Sequence, residues 1–329
     1  MVNRKKLISI VIPVMNEELN IDSSFEAVAE TFTGLSDSYD FEIIFTDNRS
    51  SDSTFLKIQA LAAIHENVRA VRFSRNVGYQ RSILTGYLLA AGDAIVQLDC
   101  DLQDPPSLIP EFIEKWEEGH EVVYGIRRSR KEGFIINSVR KIFYHMVNFL
   151  SEDNLPQNVG DFRLVDRKIV NSLRTLRSKS PYIRGQIAAL GFEQLGIEYD
   201  RDERKFGETK FNFGSLLKLS VDAIVGHSVA PLRFASYIGF AATLFAFILA
   251  CAYLVLALSN TPLPAGFTTL AVLMLLNIGF VSLFLGVIGE YLIRVVEQVT
   301  IGPISIVDQS VNLPEQRLAE CKQVFNANV

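Results

Sequence analysis

Cysteine is scarce in this chain of 329 residues: there are three, at positions 100, 251 and 321. Cys100 follows an apolar run, Cys251 lies in a charge-free stretch and Cys321 is near the end, so no disulfide framework is suggested. Glycine-rich phosphate cradles are missing too. No G-x-G-x-x-G follows the first β-like run, which ends in Pro13-Val14-Met15-Asn16-Glu17-Glu18, and no G-x-x-x-x-G-K-[S/T] occurs anywhere. Those absences argue against a dinucleotide-binding enzyme and a P-loop nucleotidase. A net charge of −5, a pI near 5.5 and no basic aromatic platform argue against nucleic acid as a partner. The most informative absence is local: residues 234–289 contain no Asp, Glu, Lys or Arg.

Overall, 49% of residues are hydrophobic and 21% charged, which excludes a disordered or low-complexity chain. The mean hydropathy of +0.21 averages a charged first part and the charge-free stretch. That stretch exceeds the ~20 residues of one bilayer span. Ser259 to Gly266, with Pro262 and Pro264, breaks it once. Two transmembrane helices are therefore expected, at about 234–258 and 267–293; a buried core hairpin would need unusually long charge-free helices. Arg233 and Arg294 flank the pair and the connecting loop has no charge. The positive-inside rule then predicts a multi-pass protein of the cytoplasmic (inner) membrane, with the large domain and both termini cytoplasmic. Residues 1–6 are basic, but the following apolar run breaks at Pro13, so no signal peptide is read. The sequon Asn48-Arg49-Ser50 would not meet the glycosylation machinery in such a domain.

The expected organisation is a domain over 1–210, an amphipathic segment over 211–232, the two spans within 233–294 and a cytoplasmic tail over 295–329. In the amphipathic segment Leu217, Val221, Ile224 and Val225 share one helical face. That face either packs on the domain or lies in the membrane interface.

The first 130 residues alternate β-branched runs with amphipathic stretches, the pattern of an α/β fold with a mostly parallel sheet. Strands are predicted at 7–14, 41–46, 68–73, 94–98 and 121–125. Helices are predicted at 20–33, 53–65, about 80–90 and 106–116. Ligands of such sheets bind at the carboxyl ends of the strands, and here those ends are acidic. Glu17 follows strand one, Asp47 and Asp52 strand two, and Asp99-Cys100-Asp101-Leu102-Gln103-Asp104 strand four. Two carboxylates at i, i+2 with an amide oxygen nearby suit a hard divalent cation that also takes phosphate oxygens. A second Asp-x-Asp, Asp200-Arg201-Asp202, reads as a solvated charge run.

These motifs resemble the family 2 glycosyltransferases of the Rossmann-like GT-A fold. Residues 9–18 look like the family's opening strand. Asp47-Asn48-Arg49-Ser50-Ser51-Asp52-Ser53-Thr54 is similar to its D-D-G-S-x-D-x-T turn. Asp99 to Pro106 resembles the D-A-D-L-Q-D-P-P of its polyprenyl-phosphate branch, which includes bactoprenol glucosyltransferases and dolichol-phosphate mannose synthases. Ser74-Arg75-Asn76-Val77-Gly78, Val159-Gly160-Asp161-Phe162-Arg163-Leu164 and Phe206-Gly207-Glu208-Thr209-Lys210 extend the likeness. Asn48-Arg49 departs from the usual Asp-Gly, removing a second acid and placing Arg49 near the donor. Thr209 stands where Ser is usual, and Tyr79-Gln80-Arg81 is not the commonest wording.

The resemblance implies inverting, Mg2+- or Mn2+-dependent transfer of a hexose, glucose from UDP-glucose as the first choice, to a polyprenyl (undecaprenyl) phosphate. Asp101, Gln103 and Asp99 are the implied metal ligands, with Asp99 also able to hold the donor ribose. Pro13, Glu17 and Asp47 are implied around the nucleobase. Asp161 resembles the residue proposed as base in relatives, with a structural role at the Gly160 turn as the other reading. A phosphate acceptor needs cations; Arg127, Arg128, Arg140 and Lys210 are the candidates, with Arg204 weaker, against a solvated basic face or contact with anionic headgroups.

Asn277, Gly279, Ser282, Gly286 and Gly289 place small residues along the second apolar run, a pattern that pairs helices or joins protomers. A homo-oligomer is thus an expected possibility. Three other functions compete. A processive polysaccharide synthase resembles this pattern but carries Q-x-x-R-W; the only tryptophan here is Trp116, in Glu114-Lys115-Trp116. Mannosyl transfer and a catalytically silent membrane scaffold are the remaining alternatives.

Overall fold

A computed structural model describes residues 4–128, 159–175, 182–201, 266–299 and 305–326, with a few isolated helical positions between 237 and 248. The chain divides into two compact units. One comprises Met1–Asn137, Leu155–Lys210 and Thr300–Val329, the other Ser138–Asn154 and Phe211–Val299.

The first unit opens with β1 (Lys6–Val14), α1 (Ile21–Thr33), β2 (Tyr39–Asp47), α2 (Thr54–Ile64), β3 (Val68–Phe73) and α3 (Tyr79–Leu89). Then come β4 (Ala94–Gln97), α4 (Ile109–Glu117), β5 (Val122–Arg127), β6 (Val159–Asp166), α5 (Arg167–Thr175), α6 (Ile183–Ala189) and β7 (Gln194–Tyr199). The predicted strands and helices of the first 130 residues are all present, shifted by a residue or two at their ends, except that the α-helix predicted at 106–116 starts three residues later, after a 3-10 turn over Pro106–Leu108.

The strand residues are buried on both faces, as helices on each side of a sheet require. Period-two alternation divides them between two cores. Ile8, Ile10 and Ile12 of β1 join Ile43, Phe45 and Val96 beneath α1, α2 and α4. Val11, Ile44 and Ile95 point the other way, against Ile83 and Tyr87 of α3, Val170 of α5 and Ile187 of α6.

Among the described residues the sheet has eight strands in the order β7-β5-β6-β4-β1-β2-β3-β8, the last being Val307–Val311. Four pairings are parallel, β1 with β2 and with β4, β2 with β3, and β5 with β7. β6 runs antiparallel to both β4 and β5, and β8 antiparallel to β3. The chain progresses outward through β2 and β3 and then returns to the other side of β1 for β4. This reversal makes a topological switch point at the carboxyl ends of β1 and β4.

The carboxy-terminal segment rejoins this unit. β8 (Val307–Val311) extends the sheet, and α7 (Phe267–Val299) and α8 (Glu315–Asn326) lie before and after it in sequence. The Asn312 side chain donates to the carbonyls of Ala62 and Val68, at 2.7 and 3.0 Å. Cys321 of α8 is buried in the second core.

The expected pair of transmembrane helices is corrected. Among the described residues, no helix is long and apolar enough to cross a membrane. Most of 234–258 lies outside the described residues. The second apolar run forms α7, a helix of 33 residues that continues through Glu290, Arg294 and Glu297. The expected multi-pass location in the cytoplasmic membrane falls with the spans, since the positive-inside argument orients only helices that cross. The amphipathic segment at 211–232 lies outside the described residues.

Candidate active site

The turns after β1 and β2 are fastened to one another. The Asn16 and Glu17 amides donate to the Ser50 and Thr54 hydroxyls, each at 2.9 Å. In return, the Ser51 amide donates to Asn16 Oδ1 at 2.8 Å and the Ser53 amide to Glu18 Oε2 at 2.9 Å. Asp47 is fully enclosed beneath these turns. Its Oδ1 accepts from the Ser50 amide and hydroxyl at 3.0 and 2.5 Å, and its Oδ2 lies 3.3 Å from Arg72 Nε. Asp52 accepts from the Thr54 hydroxyl and amide at 2.6 and 3.0 Å. Burial opposes its ionisation, but the bonds from Thr54 and Glu18 outweigh that and hold its pKa below the ordinary value.

Arg49 sits at φ 64°, the left-handed region that favours glycine. This explains why the related turn motif has Gly at this place. Its exposed guanidinium pairs with Asp308 of β8 at 2.7 Å. Arg49→Gly and Arg49→Ala both remove that pair, but only Gly removes the strain. The Gly variant is expected to be the more stable of the two by about 1 kcal/mol, read from urea unfolding midpoints.

A cleft of about 330 Å³ opens at the switch point. Pro13, Met15 and Glu17 line it after β1, Asn48 after β2, Asn76, Gly78 and Tyr79 before and at the head of α3, and Asp99 and Asp101 after β4. Gly78 has φ 89° and ends the loop that brings Tyr79 to the rim. Thus Pro13, Glu17, Asp99 and Asp101 come together as expected cleft residues, while Asp47 supports the floor and Arg49 stands on the outer side of its turn. Gln103 is tied to Asp101 through its backbone amide, which donates to Asp101 Oδ1 at 3.2 Å.

The Tyr79 hydroxyl donates to Asp99 Oδ1 and accepts from Gln97 Nε2 at 3.0 Å. Burial is the main reason that the Asp99 carboxyl is pushed up to about 7. The Tyr79 bond opposes this, while the charges of Asp104, Asp101 and Asp161 add to it. Burial, together with the charges of Asp99 and Asp161, pushes the Tyr79 hydroxyl well above its ordinary range.

Asp161 reaches this cluster because β6 is antiparallel to β4. Arg163 pairs with Gln97 in register, so the amino end of β6 lies beside the carboxyl end of β4. Arg184 Nε is 3.2 Å from Asp161 Oδ1, and Gln80 Nε2 donates to Asp161 Oδ2 at 3.4 Å.

Of the expected acceptor cations, Arg127 is turned toward the wholly buried Asp104, at 3.0 Å, and donates to the Tyr199 hydroxyl at 3.2 Å. Burial disfavours its charge, yet Asp104 and Tyr199 more than compensate and raise its pKa. Its guanidinium crosses Gly160, where a Cβ would lie 2.6 Å from it. Arg128 is exposed and pairs with Glu198 at 3.5 Å and Asp200 at 3.1 Å. Arg140, Lys210 and Arg204 lie outside the described residues. Sequence reading did not single out Tyr79, Gln97, Gln80, Asp104 or Arg184. Asp104, Tyr79 and Gln80 stood inside the motifs of the family resemblance, whereas Arg184 carried no local signal.

Residues 9–174 match the Glycosyl transferase family 2 domain. The chain is 40% identical to the uncharacterized glycosyltransferase YkcC of Bacillus subtilis (strain 168), over 94% of this chain and 96% of that one. It is 35% identical to the prophage bactoprenol glucosyl transferase homolog of Escherichia coli (strain K12), over 87% and 94% of the two chains. Among solved structures, glucosyl-3-phosphoglycerate synthase from Mycobacterium tuberculosis, in complex with Mg2+ and uridine diphosphate, is similar with a TM-score of 0.47 and 18% identity, covering 67% of this chain and 77% of that one. The chain belongs to glycosyl transferase family 2 and is a glycosyltransferase.

Proposed function

We propose that this glycosyltransferase moves glucose from UDP-glucose to a polyprenyl phosphate with inversion at the anomeric carbon. The observation that carries the reading is the convergence of Glu17, Asp99 and Asp101 on one cleft at the switch point, with Asp161 brought alongside by β6. The bactoprenol glucosyl transferase relatives support the sugar and the acceptor.

Mg2+ or Mn2+ fits the residues present. Asp99 is a carboxylate crowded by other carboxylates, an arrangement that a cation relieves. Among the described residues no group of three or more His, Cys, Asp or Glu is placed to hold a metal ion. The backbone amide of Gln103 donates to Asp101 Oδ1, which holds the two residues in one turn after β4. Bound there, the ion would offset charge gathering on the departing diphosphate.

Pro13 forms the wall beside the nucleobase, Glu17 meets the donor, and Asp47 keeps the turn beneath it in shape. Asp99 orients the ribose. An acceptor phosphate oxygen attacks the anomeric carbon as the bond to the diphosphate breaks, and the electron pair leaves with UDP. Because a phosphate monoester has a second pKa near 6, the nucleophile is already largely ionised at pH 7. Cations must still gather it; Arg140 and Lys210 remain candidates for this, while Arg127 braces the turn at Gly160.

The full-length protein given UDP-glucose, Mg2+ and a short-chain polyprenyl phosphate is expected to release UDP and form the glucosylated lipid. Product with GDP-mannose alone would replace the donor by mannose. Release with none of the common hexose donors would overturn the reading in favour of a silent scaffold.

A further inference from the structure

Of the two described arginines expected on the acceptor side, Arg127 is committed to Asp104 and Tyr199, and Arg128 reaches outward to Glu198 and Asp200. Arg163 is almost wholly enclosed and donates to the Gly160 carbonyl at 2.9 Å. Arg184, at the start of α6, is placed differently. One edge of its guanidinium is held by Asp161 at 3.2 Å, and Nη1 donates to the Val159 carbonyl at 2.7 Å. It lies over the Tyr182 ring at 5.3 Å, and a third of the side chain remains accessible.

Gln80 locks this arrangement from α3. Its Nε2 donates to Asp161 at 3.4 Å, while its Oε1 accepts from the Ile183 amide at 3.1 Å. One side chain therefore ties β6 to the first residue of α6, adjacent to Arg184. It also stands next in the chain to Tyr79, whose hydroxyl is on Asp99. The Asp161–Arg184 pair thus sits next to the acidic cluster that takes the donor.

A carboxylate facing a guanidinium at this distance is an aligner of that guanidinium. The acceptor needs a cation more than it needs a base, because its phosphate is already ionised. We propose that Arg184, aligned by Asp161 and Gln80, receives the acceptor phosphate, and that Asp161 acts through Arg184 and not as a general base. Asp161 and Gln80 are then positioning residues. The proposal rests on the polyprenyl-phosphate reading given above.

The test is direct binding of a short-chain polyprenyl phosphate to full-length protein saturated with UDP and Mg2+, with the unphosphorylated prenol as control. Wild type is expected to bind the phosphate form and not the prenol. Arg184→Ala should weaken that binding about 10- to 100-fold with UDP affinity unchanged, and Arg184→Lys, which keeps the charge without the fork, should recover part of the loss. In turnover, Asp161→Asn should raise KM for the lipid phosphate more than it lowers kcat, with the pH profile of kcat preserved. Undiminished binding by Arg184→Ala, or a collapse of kcat at unchanged KM in Asp161→Asn, would overturn the assignment. Absence of phosphate-dependent binding by wild type would instead remove the acceptor reading, and this assignment with it.

Discussion

Asp101→Ala is expected to lower turnover by at least ~10³-fold while leaving the circular dichroism spectrum and melting temperature unchanged. The size follows from the reaction. A nucleoside diphosphate gains charge as it leaves, and removal of an oxygen ligand from the cation that balances this charge acts mainly on the transition state. The harmless effect on folding follows from position. Asp101 lies beyond the end of β4 on the cleft rim, outside both apolar cores. Asp101→Asn keeps an oxygen but loses the charge, and should fall between the two. Steady-state UDP release at saturating donor and Mg2+ measures the effect; activity of Asp101→Ala within tenfold of wild type would remove the metal assignment.

Glu42→Ala is expected to destabilise the first unit by about 3–5 kcal/mol, the usual consequence of removing one partner of a buried ion pair. Glu42 lies on β2 and is 2% exposed. Its Oε1 accepts from the Ser9 hydroxyl at 2.6 Å and the Ala91 amide at 2.8 Å. Its Oε2 takes Arg69 at 2.6 Å and Arg317 of α8 at 2.8 Å. Without the carboxylate two guanidinium groups face each other uncompensated, and α8 loses its ionic tie to the sheet. Burial opposes the charged form, but the bonds from Arg317, Ser9 and Ala91 prevail and hold the pKa of Glu42 below its ordinary 4.5. The sign is therefore that of a depressed carboxylate: its stabilisation is present above pH ~4.5 and is lost as the pH falls through the folded-state value. Denaturant melts of wild type and Glu42→Gln should differ most near pH 7 and converge in acid. A gap that widens on acidification would contradict this.

Elements of the first 130 residues were legible because their signals are local. Alternation in Ile8-Ser9-Ile10-Val11-Ile12 marks a buried strand whichever strands lie beside it, and Pro105-Pro106 stops one element and opens the next. Asp99 and Asp101 were legible for the same reason, as a carboxylate pair at the end of a recognisable strand. β6 and β8 were not. Nothing in residues 159–166 states that the strand runs antiparallel beside β4, and nothing in 307–311 states that it completes the far edge of the sheet beside β3. The paired apolar runs after residue 233 were legible as composition, yet composition does not say where a helix ends. α7 runs on through Glu290, Arg294 and Glu297 because backbone hydrogen bonding continues across charged residues that are themselves good helix formers.

The sequence by itself determined the fold class of the first unit, the acidic strand ends and membership of a glycosyltransferase family. These depend on periodicity and on short motifs, which are properties of neighbouring residues. Only the tertiary structure decided that Arg127 serves Asp104, that Arg49 occupies a strained turn tied to β8, and that Arg184 stands at Asp161. Those pairings join residues far apart in the chain, and strand direction and register decide which of them meet.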